Sequence, residues 1–96
     1  MTDREFLEQL KTIRSNIDEK CKTAYYSPKY KKLMLGELED PSRKEKQFVD
    51  TVNKLTYYLD DVNERYFLYK KDRDKDLLKA KELAEQLINL SNEIAW

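Results

Sequence analysis

Apolar residues recur at every third or fourth position through most of the chain, which is the period of an α-helix. No stretch shows the two-residue alternation of a half-buried β-strand. The first apolar stripe follows Thr2 and Glu5, whose spacing forms a capping-box pattern at a helix start. We therefore expect a first helix from about Asp3 to Tyr25. Its apolar face consists of Phe6, Leu10, Ile13, Ile17, Cys21 and Ala24.

Two helix-start signals divide the middle of the chain. Ser27-Pro28 places a capping residue before a proline and predicts a short second helix over about 28–38. The residues expected to face inward there are Tyr30, Leu33, Met34 and Leu38. Asp40-Pro41 repeats the signal and predicts a long third helix whose apolar positions alternate steps of four and three, as in a heptad seam. That seam consists of Phe48, Val52, Leu55, Leu59, Val62, Tyr66 and Tyr69.

The charged run Lys70–Asp76 leaves two architectures open. In the first, the chain reverses near Asp72–Asp74, with Lys70 and Lys71 closing the third helix and an aspartate capping a fourth. The stripe of that fourth helix consists of Leu77, Ala80, Leu83, Ala84, Leu87, Ile88, Leu90 and Ile94. This favours an all-α fold, one domain over residues 1–96, as a small antiparallel bundle of three long helices plus one short helix.

The second architecture follows because no Gly or Pro interrupts the chain beyond Pro41. The third helix would then continue to the end as a single helix of about 55 residues, roughly 80 Å long. One chain cannot cover the apolar stripe of so long a helix, and it would have to pair with a second copy in a coiled-coil dimer.

Composition excludes most kinds of chemistry. The chain has 19 Lys and Arg against 19 Asp and Glu, and it contains no His. Histidine is the usual general base near neutral pH and the commonest metal ligand. A single Gly is too little for a glycine-rich phosphate loop, and a lone Cys cannot build a multi-thiolate zinc site. We therefore expect no enzymatic activity, no cofactor and no metal.

The same lone cysteine bears on the cellular compartment. One Cys cannot form an internal disulfide, and an unpaired thiol fits a reducing environment. The segment Thr2–Glu5 is polar and charged, unlike a secretory leader, and no apolar run approaches the ~20 residues that span a bilayer. The sequence predicts a cytoplasmic protein without a membrane span, in which Cys21 is a small buried apolar residue.

Aromatic residues are concentrated late in the predicted third helix, at Tyr57, Tyr58, Tyr66, Phe67 and Tyr69. Packing in the core explains some of them, and those left exposed form a patch of the kind enriched in protein–protein hot spots. Acidic residues beside the patch would suit a basic partner. The candidate protein-binding residues are Tyr57, Tyr58, Asp60, Asp61, Glu64 and Phe67.

A basic corner precedes the third helix. Lys20 to Leu35 contains five lysines and no acidic residue, with tyrosines between them. Lysines interleaved with aromatic rings are typical of single-stranded nucleic-acid binding, so candidate anion or nucleic-acid contacts are Lys29, Tyr30, Lys31 and Lys32. Alternatively, the tyrosine rings cover the corner between two helices while the lysines extend into solvent.

These observations favour a non-enzymatic helical module that binds a protein partner, or a second copy of itself as a homodimer, through the aromatic and acidic face. Small helical proteins without motifs often act as inhibitors, adaptors or immunity factors, including in bacteria and phages. Two alternatives stay open: a nucleic-acid accessory protein that uses the basic corner, and a structural coiled-coil dimer.

Overall fold

The computed structural model describes the backbone of residues 1–96 and the side chains of residues 1–60 and 65–96. Within this described chain there are six helices and no strand, which confirms the all-α prediction. Six helices appear rather than four because the predicted first and third helices are each divided. The helices are α1 Asp3–Lys20, α2 Lys22–Tyr25, α3 Pro28–Met34, α4 Arg43–Leu59, α5 Asp61–Tyr69 and α6 Arg73–Glu93.

The apolar stripe of the first helix is buried as predicted. Thr2 caps α1, since its hydroxyl accepts a hydrogen bond from the Glu5 N–H at 3.2 Å. Cys21 separates α1 from α2 with φ −100° and ψ 15°, yet its N–H still donates to the Ile17 carbonyl at 2.8 Å. The interruption is therefore slight, and Cys21 and Ala24 remain in the core with the residues of α1.

The second predicted helix begins where expected and ends early. The Ser27 hydroxyl caps α3 by accepting from the Lys29 N–H at 3.1 Å, with Pro28 in the first turn. The helix stops at Met34 because Gly36 adopts φ 73°, a left-handed conformation that ends helices. Of the expected inward residues, Leu33 is buried and Tyr30, Met34 and Leu38 are half-buried.

The start of α4 corrects the sequence prediction. Asp40 has φ 48° and cannot take the extended conformation of a capping residue, so the helix does not begin at Asp40-Pro41. Ser42 caps it instead. The Ser42 hydroxyl accepts from the Glu45 N–H at 3.2 Å, and the Glu45 carboxylate accepts from the Ser42 N–H at 2.7 Å. This reciprocal capping box satisfies two backbone donors at the helix start.

The predicted heptad seam holds through α4 and fails beyond it. Asp60 has an extended backbone, with φ −70° and ψ 140°, and separates α4 from α5. Past this break the helix phase shifts by one position: Phe67 is buried, while Tyr66 and Tyr69, which the seam placed inside, are exposed. Within the seam Phe48 and Leu55 are buried and Val52 and Leu59 half-buried, and Val62 lies outside the described side chains.

A side chain from another helix accommodates the break. Arg14 of α1 donates its Nε to the Leu59 carbonyl at 3.0 Å, and its terminal nitrogen contacts the same oxygen. Leu59 is the last residue of α4, where carbonyls lack helical partners and the helix dipole favours a cation. Arg14 therefore stabilises the end of α4 before α5 begins.

The chain reverses within the charged run, as the first architecture predicted. Helix α5 ends at Tyr69 and α6 begins at Arg73, with Asp72 at the capping position but without a side-chain capping bond. The alternative of one helix of about 55 residues is therefore wrong, because this turn and the Asp60 break interrupt it. The predicted stripe of α6 packs inward, with Leu77, Ala80, Leu83, Ala84 and Leu87 buried.

Ion pairs define how the three long segments run. Lys44 near the start of α4 lies 3.4 Å from Glu93 at the end of α6, so these helices are antiparallel. Arg73 at the start of α6 contacts Asp3 at the start of α1, so α1 and α6 are parallel. The segment α4–α5 therefore runs opposite to α1 and α6, and α6 packs against both α1 and α4. The fifteen buried apolar residues among the described side chains form one core between these helices.

Candidate functional site

The break at Asp60 creates a groove lined by aromatic residues. Its lining consists of Tyr57 on α4, Tyr66, Phe67 and Tyr69 on α5, and Lys70 just beyond. Its volume is about 350 Å³. We call this surface the aromatic groove. It exists because the phase shift after Asp60 turns one aromatic residue of α5 into the core and leaves its neighbours outside.

The floor of the aromatic groove is fixed to the core. Phe67 is 3% exposed, and its ring lies 5.9 Å from that of Phe6 in α1. Tyr58 stacks on the other side of Phe67, with ring centroids 5.6 Å apart and planes 18° from parallel. Tyr57 meets Tyr58 edge to face at 5.3 Å. Rings in such offset or edge contacts stabilise each other, so the floor is preorganised.

The rim of the groove is open to solvent. The exposed fractions are 55% for Tyr57, 68% for Tyr66 and 90% for Tyr69. A tyrosine carries a large apolar ring and a polar hydroxyl with only two side-chain torsions, so it contributes contact area at low entropic cost. Three such rings around one depression form a surface suited to contact with another molecule.

Lys70 closes one side of the groove. Its Nζ lies 5.3 Å from the centre of the Phe67 ring and 3.1 Å from an Asp76 carboxylate oxygen. The hydrogen bond that Lys70 donates to Asp76 raises the pKa of Lys70. The ammonium is therefore held between a ring face and a carboxylate, and its charge is partly offset within the chain.

The candidate residues for protein binding differ in how far the structure exposes them. Tyr57 is exposed at the rim, Tyr58 is half-buried beneath it, and Asp60 is exposed at the break. Phe67 lies in the core, so only the part of its ring that floors the groove faces outward. The side chains of Asp61 and Glu64 lie outside the described residues.

Tyr66, Tyr69 and Lys70 also line the groove and were not among the candidates. They were missed because an unbroken heptad seam assigns the two tyrosines to the core. One signal in the sequence indicates the break: aspartate is a preferred helix-capping residue, and Asp60 precedes the first residue of α5. An N-terminal cap there resets the helical phase.

Two of the four candidate anion contacts in the basic corner make internal contacts. The Nζ of Lys29 lies 2.5 Å from a Glu45 carboxylate oxygen, and Tyr30 packs edge-on against Tyr25 at 5.0 Å. Only Lys31 and Lys32, of the four candidate anion contacts, are fully exposed. For Tyr30, the structure matches the alternative in which the rings cover the corner.

A second groove lies between α1 and α4, with a volume of about 280 Å³. Its floor is apolar, at Ile17, Val52, Leu55, Leu59 and Leu87, and its walls include Arg14 and Tyr25. Burial raises the pKa of the Tyr25 hydroxyl. Arg14, which lines one wall of this groove, is engaged with the end of α4.

Other chemical features of the described residues are few. Cys21 is fully buried as predicted, and burial raises the pKa of its thiol. Among the residues with described side chains, no three acidic or thiol groups are arranged to hold a metal ion. In that same part of the chain, every helix is too short or too polar to cross a membrane.

Comparison with protein-family models, with curated proteins and with solved structures finds no match to this chain.

Proposed function

We propose that this chain is a non-enzymatic protein-binding module that captures a partner protein in the aromatic groove. The observation that carries the proposal is the set of three exposed tyrosines, Tyr57, Tyr66 and Tyr69, around a floor anchored in the core. Tyrosine is enriched among the few interface residues that contribute most of the binding energy. Such a module would act as an inhibitor, an adaptor or an immunity-type factor.

The chemistry of the groove favours a basic partner. Faces of tyrosine rings attract cations, and an arginine side chain can stack on them. Asp60 is exposed at the break between α4 and α5, and the sequence places Asp61 and Glu64 in the following turn. The positive charge of Lys70 repels a basic partner only weakly, because Asp76 already pairs with it. The partner would therefore present an arginine or lysine with apolar neighbours.

A matched pair of tyrosine variants tests the proposal. Capture from native lysate with wild-type protein, followed by mass spectrometry, identifies a candidate partner, whose affinity is then measured with purified proteins. The combined Tyr57→Ala and Tyr66→Ala variant should weaken that affinity about tenfold or more, because groove rings would be interface hot spots. Tyr26→Ala is the control, since Tyr26 is equally aromatic and exposed but lies outside the groove.

Three results would contradict this function. One is a partner whose affinity is the same for wild type and the groove variant while circular dichroism shows both folded. Another is a partner that is lost with Tyr26→Ala. A third is a doubled mass in light scattering that returns to one chain in the groove variant, which would make a second copy the occupant.

The nucleic-acid alternative has less support. Of its four residues, Lys29 and Tyr30 are engaged inside the protein, and Lys31 and Lys32 remain. Binding by two lysines would be weak and strongly dependent on salt. A shift of a single-stranded oligonucleotide at low salt that disappears when Lys31 and Lys32 are changed to Gln would favour this alternative.

A further inference from the structure

The last residues of the chain fold back over the basic corner. Ile94 leaves the helix with φ −97° and ψ 137°, and the segment Ile94–Trp96, which we call the strap, is extended from there. The Trp96 ring meets Phe48 edge-on, with centroids 4.9 Å apart, and its Nε1 donates to the Ser91 carbonyl at 2.9 Å. The strap therefore covers the start of α4.

Two side chains of the basic corner bind the backbone of the strap. The Lys29 Nζ donates to the Ala95 carbonyl at 2.8 Å, and the Ser27 hydroxyl donates to the Trp96 carbonyl at 3.2 Å. The Tyr30 ring completes the contact at 6.4 Å from the indole. The strap thus joins α3, α4 and α6 although only α6 is continuous with it.

Glu45 acts on the strap through Lys29. One carboxylate oxygen of Glu45 lies 2.5 Å from the Lys29 Nζ, and the other accepts from the Ser42 N–H at 2.7 Å. Glu45 is buried, so its charge depends on these two partners rather than on water. An ammonium that lost its carboxylate would gain more from hydration than from a single carbonyl.

We infer that the strap is a releasable latch over Tyr30 and Phe48, and that Glu45 is the positioning residue that keeps it closed through Lys29. In the closed state Lys29 and Tyr30 are engaged inside the protein. Release of the strap uncovers the rings of Tyr30 and Phe48 near Lys31 and Lys32, while Lys29 loses its contact with the Ala95 carbonyl. The latch thereby decides whether the corner presents an aromatic and cationic surface. This inference is independent of the function proposed for the aromatic groove.

Fluorescence of Trp96 tests the latch directly, since it is the single tryptophan of the chain. The variant Glu45→Gln keeps the shape of the side chain and the acceptor for Ser42 but removes the charge. We expect its emission maximum to move to longer wavelength and its quenching by acrylamide to rise roughly twofold, because opening would be local. Circular dichroism should show the helices retained.

A second variant and a control keep the test decisive. Lys29→Met should give the same change in quenching, because it removes the other half of the pair. Lys44→Met is the control: it breaks the exposed pair between Lys44 and Glu93, which also joins α4 to α6 but does not contact the strap. Wild-type quenching in folded Glu45→Gln or in Lys29→Met, or an equal rise in Lys44→Met, would overturn the inference. If Glu45→Gln fails to fold, the two lysine variants still decide whether Lys29 holds the strap.

Discussion

Two clusters of aromatic rings lie at the two ends of α4 and differ in what covers them. At the start of the helix, Phe48 contacts Tyr30 and Trp96, and Tyr30 also contacts Trp96 and Tyr25, with centroid distances of 4.9 to 6.4 Å. At the end of the helix, the Tyr57–Tyr58–Phe67 series has similar spacings, 5.3 and 5.6 Å. We call these the closed cluster and the open cluster.

The distances between rings are similar in the two clusters. The clusters differ instead in the elements that cover them. In the closed cluster, Phe48 lies beneath Tyr30 of α3 and Trp96 of the strap, which add a layer outside the three long segments. The open cluster has Phe67 buried in the core, but the described part of the chain places no further layer over Tyr57, Tyr66 and Tyr69. The aromatic residues at the start of α4 therefore contribute to stability, whereas those at its end are available for contact.

The largest loss of stability is expected at the closed cluster. Phe48 is fully buried among the rings of Tyr30 and Trp96. Phe48→Ala should lower the free energy of unfolding by about 3–5 kcal/mol, because it removes a large buried side chain and leaves a cavity. Urea denaturation followed by circular dichroism measures the change. A loss below about 1 kcal/mol would show that these rings are not packed.

A smaller loss is expected from the strap. Trp96→Ala should reduce the free energy of unfolding by about 1–3 kcal/mol, less than for a fully buried aromatic residue because Trp96 is half-buried. The same urea titration provides the value. Since Trp96 touches Phe48, the two substitutions should not be additive. A double variant whose loss equals the sum of the two single losses would contradict a shared cluster.

Elements of the fold also differ in how well the sequence predicts them. The stripe of α1 and the cap at Ser27 rest on local signals, a helical period and residues adjacent in the chain, and both are confirmed. The reversal after Tyr69 is also confirmed, because Lys70 and Asp72 have the charges that suit a helix end and a helix start. Such features need no knowledge of distant residues.

The break at Asp60 has one local signal, the capping aspartate, and the heptad pattern outweighs it. The heptad pattern continues through it in sequence, and the contact that stabilises the end of α4 comes from Arg14, 45 residues away. The consequence is a shift of one position that exchanges Phe67 for Tyr66 in the core. Docking of Trp96 is equally non-local, since its carbonyl partner Ser27 lies 69 residues earlier. The aromatic residues of the site were thus predictable as a group, and which of them are exposed was not.

Acid should weaken the closed cluster selectively. The hydrogen bond from Lys29, followed by that from the Ser42 N–H, lowers the pKa of Glu45, although burial acts in the opposite direction. A carboxyl group with a lower pKa in the folded state stabilises the fold above its unfolded pKa of about 4.3. That contribution is lost as the pH falls through the folded-state pKa.

The comparison of wild type with Glu45→Gln isolates this contribution. The free energy of unfolding of the wild type should fall more steeply than that of Glu45→Gln as the pH drops below about 4.3. Lys29 is the charged partner that faces Glu45, so Lys29→Met should also flatten the wild-type slope. Identical slopes in all three proteins would remove Glu45 as the source of acid sensitivity at this end.

The smallest effect on stability is expected at the open cluster. Tyr66→Ala and Tyr69→Ala should each change the free energy of unfolding by no more than about 0.5 kcal/mol, because exposed side chains away from caps and the core contribute little. Thermal unfolding of the two variants measures this. A loss near that of Trp96→Ala would mean that a covering layer exists in solution, such as a second copy of the chain. If both variants are as stable as the wild type, the rings contribute nothing measurable to the fold that exposes them, as the proposed role in partner contact expects.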